Sequence, residues 1–172
     1  MHNDKHCVKM ILEYAQLLST AHRFLDGAVS TGLSKTGRKQ TRYVLPDERE
    51  PMLYSATHIN HPSAVWVRHS DKNYDWLFSL YQALMDEYTY RYGKVHACSK
   101  LELALAKVPN NIAQKPFTEP TTAMPDEYKV PGDAVTSYRN YYINSKSHLA
   151  KWKNRATPNW YFQDTLQTGV LA

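Results

Sequence analysis

The sequence predicts a mainly α fold, a single-domain helical bundle of about four helices with long irregular loops, spanning residues 1–172. Two observations carry this expectation. Apolar residues recur at three- and four-residue steps over 4–25 and 71–92, the period of a helix that buries one side. Hydrophobic residues make up 42% and charged residues 22%, a composition that folds around a core, in a chain long enough to need no covalent staple.

The first helix, about Asp4 to Leu25, carries Val8, Ile11, Ala15, Leu18, His22 and Leu25 on one side, and Gly27 stands where a left-handed cap would end it. Residues 27–63 read as a basic loop region holding Lys35, Arg38, Lys39 and Arg42, with a short ribbon around Thr41 to Leu45 and an acidic turn at 47–50. Pro62 sits in the first turn of a short apolar run, and Ser70 opens the second long helix, which Gly93 closes. Ser99-Lys100-Leu101-Glu102 is a capping box for a helix over 101–108 that Pro109 ends. Five prolines make 109–132 a strap rather than a domain boundary. A last helix is expected over 134–153, capped by Asp133.

The charge balance is basic, 21 Lys and Arg against 16 Asp and Glu, which favours a polyanionic partner without requiring one. DNA or a nucleotide is the partner expected. Cys7 and Cys98 alone make no disulfide framework, and no apolar run approaches the ~20 residues that cross a bilayer. A cytoplasmic protein with no membrane partner follows as the expectation. No Walker loop, dinucleotide fingerprint, nucleophile elbow or zinc-deaminase signature is present, so those chemistries are disfavoured and no cofactor is expected.

Four residues are candidates for acid–base work: Glu87, His22, His96 and Glu13. Glu87 and Arg91 are helical neighbours four apart, at the edge of the apolar side; a structural ion pair accounts for them equally well. His22 lies in the middle of the apolar stripe, where a histidine is usually a satisfied core residue, and Glu87 is its natural partner if the two helices share a cleft. Phosphate contacts are expected from Lys5, Arg23, Arg68, Arg91, Lys94, Arg139 and Lys151. Arg139 to Arg155 carries cations and no acid, a strip suited to a polyanion or simply a solvated helix face. Tyr88, Trp66 and Tyr142 are the rings on which a base would stack. His2, His6 and Glu13 fall within about 40° on the first helix, and His2 and His6 have the spacing of a weak metal-chelating pair. No metal is expected, because no ligand signature accompanies them.

His2-Asn3-Asp4-Lys5-His6, Leu17 to Arg23, Asn60 to Arg68, Glu87 to His96 and Ala123 to Lys129 together resemble a group of short proteins of tailed phages and bacteria. That likeness spans nearly the whole chain. It implies a phage-type protein and a short segment ahead of His2, and it brings no activity with it. A weaker likeness is to the phage endonuclease V type of pyrimidine-dimer DNA glycosylase, through a first helix, a basic loop, a histidine before a long helix and Pro158-Asn159-Trp160-Tyr161. It implies an all-helical, metal-free enzyme that attacks the sugar with an N-terminal amine helped by a first-helix glutamate. Here Met1 precedes His2, no N-terminal threonine supplies that amine, and Glu13 is the only acid well inside the helix. An enzyme acting on DNA bases, a non-catalytic protein that binds nucleic acid or blocks a host partner, and an enzyme of free nucleotides all remain open from the sequence.

Overall fold

The computed structural model describes residues 2–33 and 36–162 and is mainly α. Helix α1 (Asp4–Asp26) opens on Asn3, whose side chain accepts from the His6 amide. It is followed by an antiparallel ribbon of β1 (Ala28–Leu33) and β2 (Lys39–Val44), in register from Ala28 opposite Val44 to Leu33 opposite Lys39. Helices α2 (Pro62–His69) and α3 (Asp71–Tyr92) come next, then a 3-10 turn over Ala97–Leu101 running into α4 (Glu102–Leu105). The strap leads to α5 (Ala134–Asn144).

Helices α1 and α3 run antiparallel. Asp4 at the start of α1 meets Arg91 at the end of α3, while His22 near the end of α1 meets Tyr74 near the start of α3. Between these ends Cys7, Ile11, Ala15 and Leu18 pack on Leu77, Tyr81, Leu84 and Met85, with Trp66, Val67, Leu101 and Leu105 closing the core. Each such aliphatic side chain contributes about 2 kcal/mol by leaving water. Ser70 caps α3 as expected, accepting from Lys72 and Asn73, and Gly93 ends it at φ 63°, the left-handed region that glycine enters without strain. The 109–132 strap lies across α2 and α3. Buried Asn73 accepts from the Thr118 amide and donates to the Trp66 carbonyl and the Thr118 hydroxyl.

Four local expectations need correction. Gly27 is extended rather than left-handed (φ −85°); glycine is needed there because a Cβ would stand 2.4 Å from the Arg23 carbonyl oxygen. The basic segment holds a ribbon of two six-residue strands, Ala28–Leu33 and Lys39–Val44, where a loop with a short ribbon around Thr41 to Leu45 was expected. The Ser99 capping box is not formed: His96 caps a 3-10 turn, and Glu102 accepts from Gln82. The last helix stops at Asn144 instead of 153, because Asn144, Ser145 and Ser147 are weak helix formers and the Ser145 and Lys146 amides both donate to the Tyr141 carbonyl. The basic strip of 139–155 is therefore a helix end followed by irregular chain.

Candidate functional site at the amino-terminal end of the bundle

The expected cleft, with His22, Glu87, Arg91 and His96 converging, is not formed. His22 is tied to Tyr74, thirteen residues along α3 from Glu87, which at the helical rise is about 20 Å. The pair belongs to opposite ends of the molecule.

At its own end His22 is fully buried and fully engaged. The Arg49 guanidinium can only donate, so His22 Nδ1 accepts from Nη1 at 2.8 Å. Nε2 then bears the hydrogen and donates to the Tyr74 hydroxyl (2.8 Å), which passes its own hydrogen to the Leu105 carbonyl (2.9 Å). Burial, and next the Arg49 charge, pull His22 from 6.5 down to about 4. Arg49 also holds Asp26 at 2.6 Å and Asp47 at 2.6 Å, so the residues read as an acidic turn supply a half-buried ion network.

Glu87 is an architectural carboxylate. It accepts from Arg91 Nε (2.7 Å) and from Arg155 Nη2 (2.8 Å) and Nε (3.2 Å), and although burial opposes it, these two guanidinium groups hold its carboxyl below the ordinary range. Arg91 is buried and reaches on to Asp4 (3.0 Å); its Nη2 lies 2.7 Å from Glu87 but off line for a further hydrogen bond. Asp4 in turn accepts from the Lys153 amide (2.8 Å). This ion network ties α1, α3 and residues 151–155 together.

Several other assignments move from ligand contact to structure. Arg23 spends its guanidinium on the Tyr54, Tyr43, Glu50 and Leu53 carbonyls and the Glu50 carboxylate, so it has nothing left for a phosphate. Arg68 donates to the Ile59 carbonyl (2.5 Å) and lies 4.1 Å over the Phe24 ring. His96 caps its turn by accepting from the Cys98 amide and packs edge-on against Tyr88 at 5.0 Å, so neither the acid–base role nor base stacking by Tyr88 finds its geometry. Trp66 is buried under the strap, donating to the Thr118 carbonyl (3.1 Å). Lys5, Lys94, Arg139 and Lys151 are exposed, as phosphate contacts require.

What the structure does assemble is a chain of imidazoles and phenols at the start of α1. Tyr14 Oη lies 2.8 Å from His2 Nε2, His2 Nδ1 lies 3.2 Å from Tyr142 Oη, and Tyr142 Oη lies 2.5 Å from His6 Nδ1. Tyr142 is thus a buried bridge from α5 rather than a stacking platform. Burial pulls His2 to about 3 and lowers His6, with the cations Lys9, Lys146 and Lys5 adding to the latter effect and Glu13 opposing it. Both imidazoles are neutral at pH 7. Burial likewise raises Tyr14 and Tyr142, so both phenols keep their protons.

Two proton arrangements satisfy the chain. In one, Tyr14 donates to His2, His2 to Tyr142 and Tyr142 to His6, leaving a hydrogen on His6 Nε2. In the other every donor is reversed and His6 Nε2 is bare. Passing between them takes up one proton at one end and releases one at the other, with no group forced to carry charge in a desolvated place.

The surroundings are cationic and aromatic. Lys9 pairs with Glu13 at 3.0 Å, Lys146 lies 5.1 Å over the Tyr141 ring, and Arg139 lies 5.6 Å over Trp160, which packs edge-on against Tyr142. The Asn3 amide and the Trp152 indole, both buried here, have N–H groups with no acceptor among the described residues. Of the four acid–base candidates, Glu13 alone shares this neighbourhood. Sequence reasoning placed His2, His6 and Glu13 on one side of the helix but missed Tyr14, eight residues beyond His6 and about 80° round the helix from it. The His2–His6 pair is spent on phenol hydroxyls, and among the described residues no three His, Cys, Asp or Glu side chains are placed to hold a metal. No helix of the described residues is long and apolar enough to cross a membrane.

Two open grooves at the surface of the described residues lie elsewhere. One of about 490 Å³ is lined by Asp71, Lys72 and Lys115, and another of about 470 Å³ by Glu119, Lys129 and Asp133 among others. Compared with known proteins, the chain matches no family model, no curated protein and no solved structure.

Proposed function

We propose that this chain is an enzyme of DNA bases, cleaving or modifying them with His6 as its acid–base group. The observation that supports this reading is the Tyr142 hydroxyl shared by two neutral imidazoles beneath a rim of exposed cations. The half-buried edge of His6 carries Nε2, which takes a proton in one arrangement of the chain and gives one in the other. Hydrolysis of a base–sugar bond needs both: the attacking water delivers hydroxide to the sugar carbon and loses a proton, and the departing base nitrogen gains one. Lys5, Lys9, Arg139, Lys146 and Lys151 supply charge for the phosphates on either side. An anion bound there would also offset the cations that hold His6 low.

The test is incubation of the wild-type chain and His6→Gln with duplex and single-stranded oligonucleotides carrying damaged or modified bases, with released base or altered mass read by chromatography and mass spectrometry. The expected result is product from the wild type and about a hundredfold less from His6→Gln, with DNA binding unchanged. No product from any substrate, or full turnover by His6→Gln, overturns the reading.

A further inference from the structure

The β1–β2 ribbon has no part in the chemistry above, and its exposure is unusual. Of its twelve residues only Gly32 and Tyr43 are partly covered; the rest are exposed, including Val29 at 68% and Leu33 at 67%. A two-stranded ribbon wet on both faces gains little from its own burial and is marginal on its own. Here its base is held. The Arg23 guanidinium donates to the Tyr43 carbonyl, the Tyr43 ring packs at a tilt against Phe24 with centroids 5.5 Å apart, and Leu45 is buried immediately after β2. The rest projects from the end of α1.

Its chemistry is one-signed. Residues 27–46 hold four cations, Lys35, Arg38, Lys39 and Arg42, and no acid. The register also divides its faces. One carries the pairs Val29–Tyr43, Thr31–Thr41 and Leu33–Lys39; the other carries Ser30–Arg42 and Gly32–Gln40. On this second face a long cation and a carboxamide stand beside side chains too small to obstruct them. A guanidinium and a carboxamide are the groups that bond base edges in two places at once, and the B-DNA major groove is wide enough to admit a two-stranded ribbon.

We infer that this ribbon is an arm that enters the major groove of B-form duplex DNA, with Gln40 and Arg42 toward the base edges and Lys39 toward a phosphate. The inference rests on reading the chain as a nucleic-acid protein and narrows its partner to duplex DNA. A-form RNA, whose major groove is deep and narrow, should be refused.

Fluorescence anisotropy of a 20-base-pair DNA duplex, the matching RNA duplex and the single strand, across a series of salt concentrations, tests it. The wild type should bind the DNA duplex at least tenfold more tightly than the RNA. Lys39→Ala with Arg42→Ala should weaken DNA binding about tenfold or more and reduce the salt slope by roughly two. Melting temperature should hold, since both side chains are exposed. Gln40→Ala should change preference among duplex sequences without changing the slope. Lys72→Ala with Lys115→Ala, far from the ribbon in sequence and lining a surface groove, is the control and should bind as wild type. Equal affinity and slope for the ribbon double variant, or RNA bound as tightly as DNA, overturns the arm. If the wild type binds duplex DNA and only Lys5 and Lys151 variants weaken it, the arm falls while the proposed function stands. If the wild type binds no nucleic acid, both fall.

Discussion

Helix α1 carries a histidine–tyrosine cluster at each end, and the two are built from the same groups to opposite effect. At the carboxyl end, His22 and Tyr74 lie between Arg49, which can only donate, and the Leu105 carbonyl, which can only accept. Those two ends fix the direction of every hydrogen bond between them. At the amino end, His2, His6, Tyr14 and Tyr142 are all groups that donate or accept, and among the described residues neither a cation nor a carbonyl closes the chain. The first cluster is a sealed strut. The second is able to reverse, and one of its members reaches a cationic surface. A buried histidine–tyrosine pair therefore carries no functional meaning until the groups at its ends are known.

The comparison can be broken by substitution. The largest effect should come from Arg91→Met, which leaves Asp4 and Glu87 without their shared cation. A loss of about 3 kcal/mol is expected, the low end for a broken buried pair because both carboxylates keep some water contact. Chemical denaturation measures it, and a loss below 1 kcal/mol would remove the network from its structural role. Next, His22→Gln should cost about 2 kcal/mol of stability, since the Tyr74 and Arg49 bonds are deep, whereas its effect on any base-release activity should be small. His6→Gln should do the reverse. If His22→Gln abolishes turnover at unchanged folded fraction, the sealed end is catalytic after all.

The smallest effect is on acid stability. His22 is held near 4 in the folded chain against 6.5 when unfolded, so the unfolded state binds the proton more readily across that interval. The stability His22 contributes is complete above pH 6.5 and is lost as pH falls from there toward 4. Between pH 6.5 and 5.5 the loss is about 1 kcal/mol. His22→Gln should flatten that part of the profile, and an unchanged slope would contradict the assignment.

How much of this could be read from the sequence follows from what periodicity encodes. Helices α1 and α3, and the α3 caps at Ser70 and Gly93, were legible because apolar spacing and capping chemistry are local. The stop of α5 at Asn144 was missed, because the run of cations beyond it reads as a continuing helix face. The ribbon's full length was not legible either, because an exposed ribbon shows no alternation of buried and wet positions. For the site, the shared side of His2, His6 and Glu13 was plain, but Tyr142 arrives from 136 residues beyond His6 and nothing local announces it. Glu87 misled for a related reason. Its partner Arg91 was visible four residues on, while Arg155, which completes its saturation, lies 68 residues away.

The distinction between the two ends is tested most directly by long-range proton–nitrogen NMR of the imidazole rings at neutral pH, which reads the tautomer of each histidine. His22 should show one fixed form with its hydrogen on Nε2. His6, neutral and uncharged, should show nitrogen shifts averaged between its two forms, with the balance moving when duplex DNA is added. A His6 ring locked in a single form, unchanged by DNA, would contradict the account.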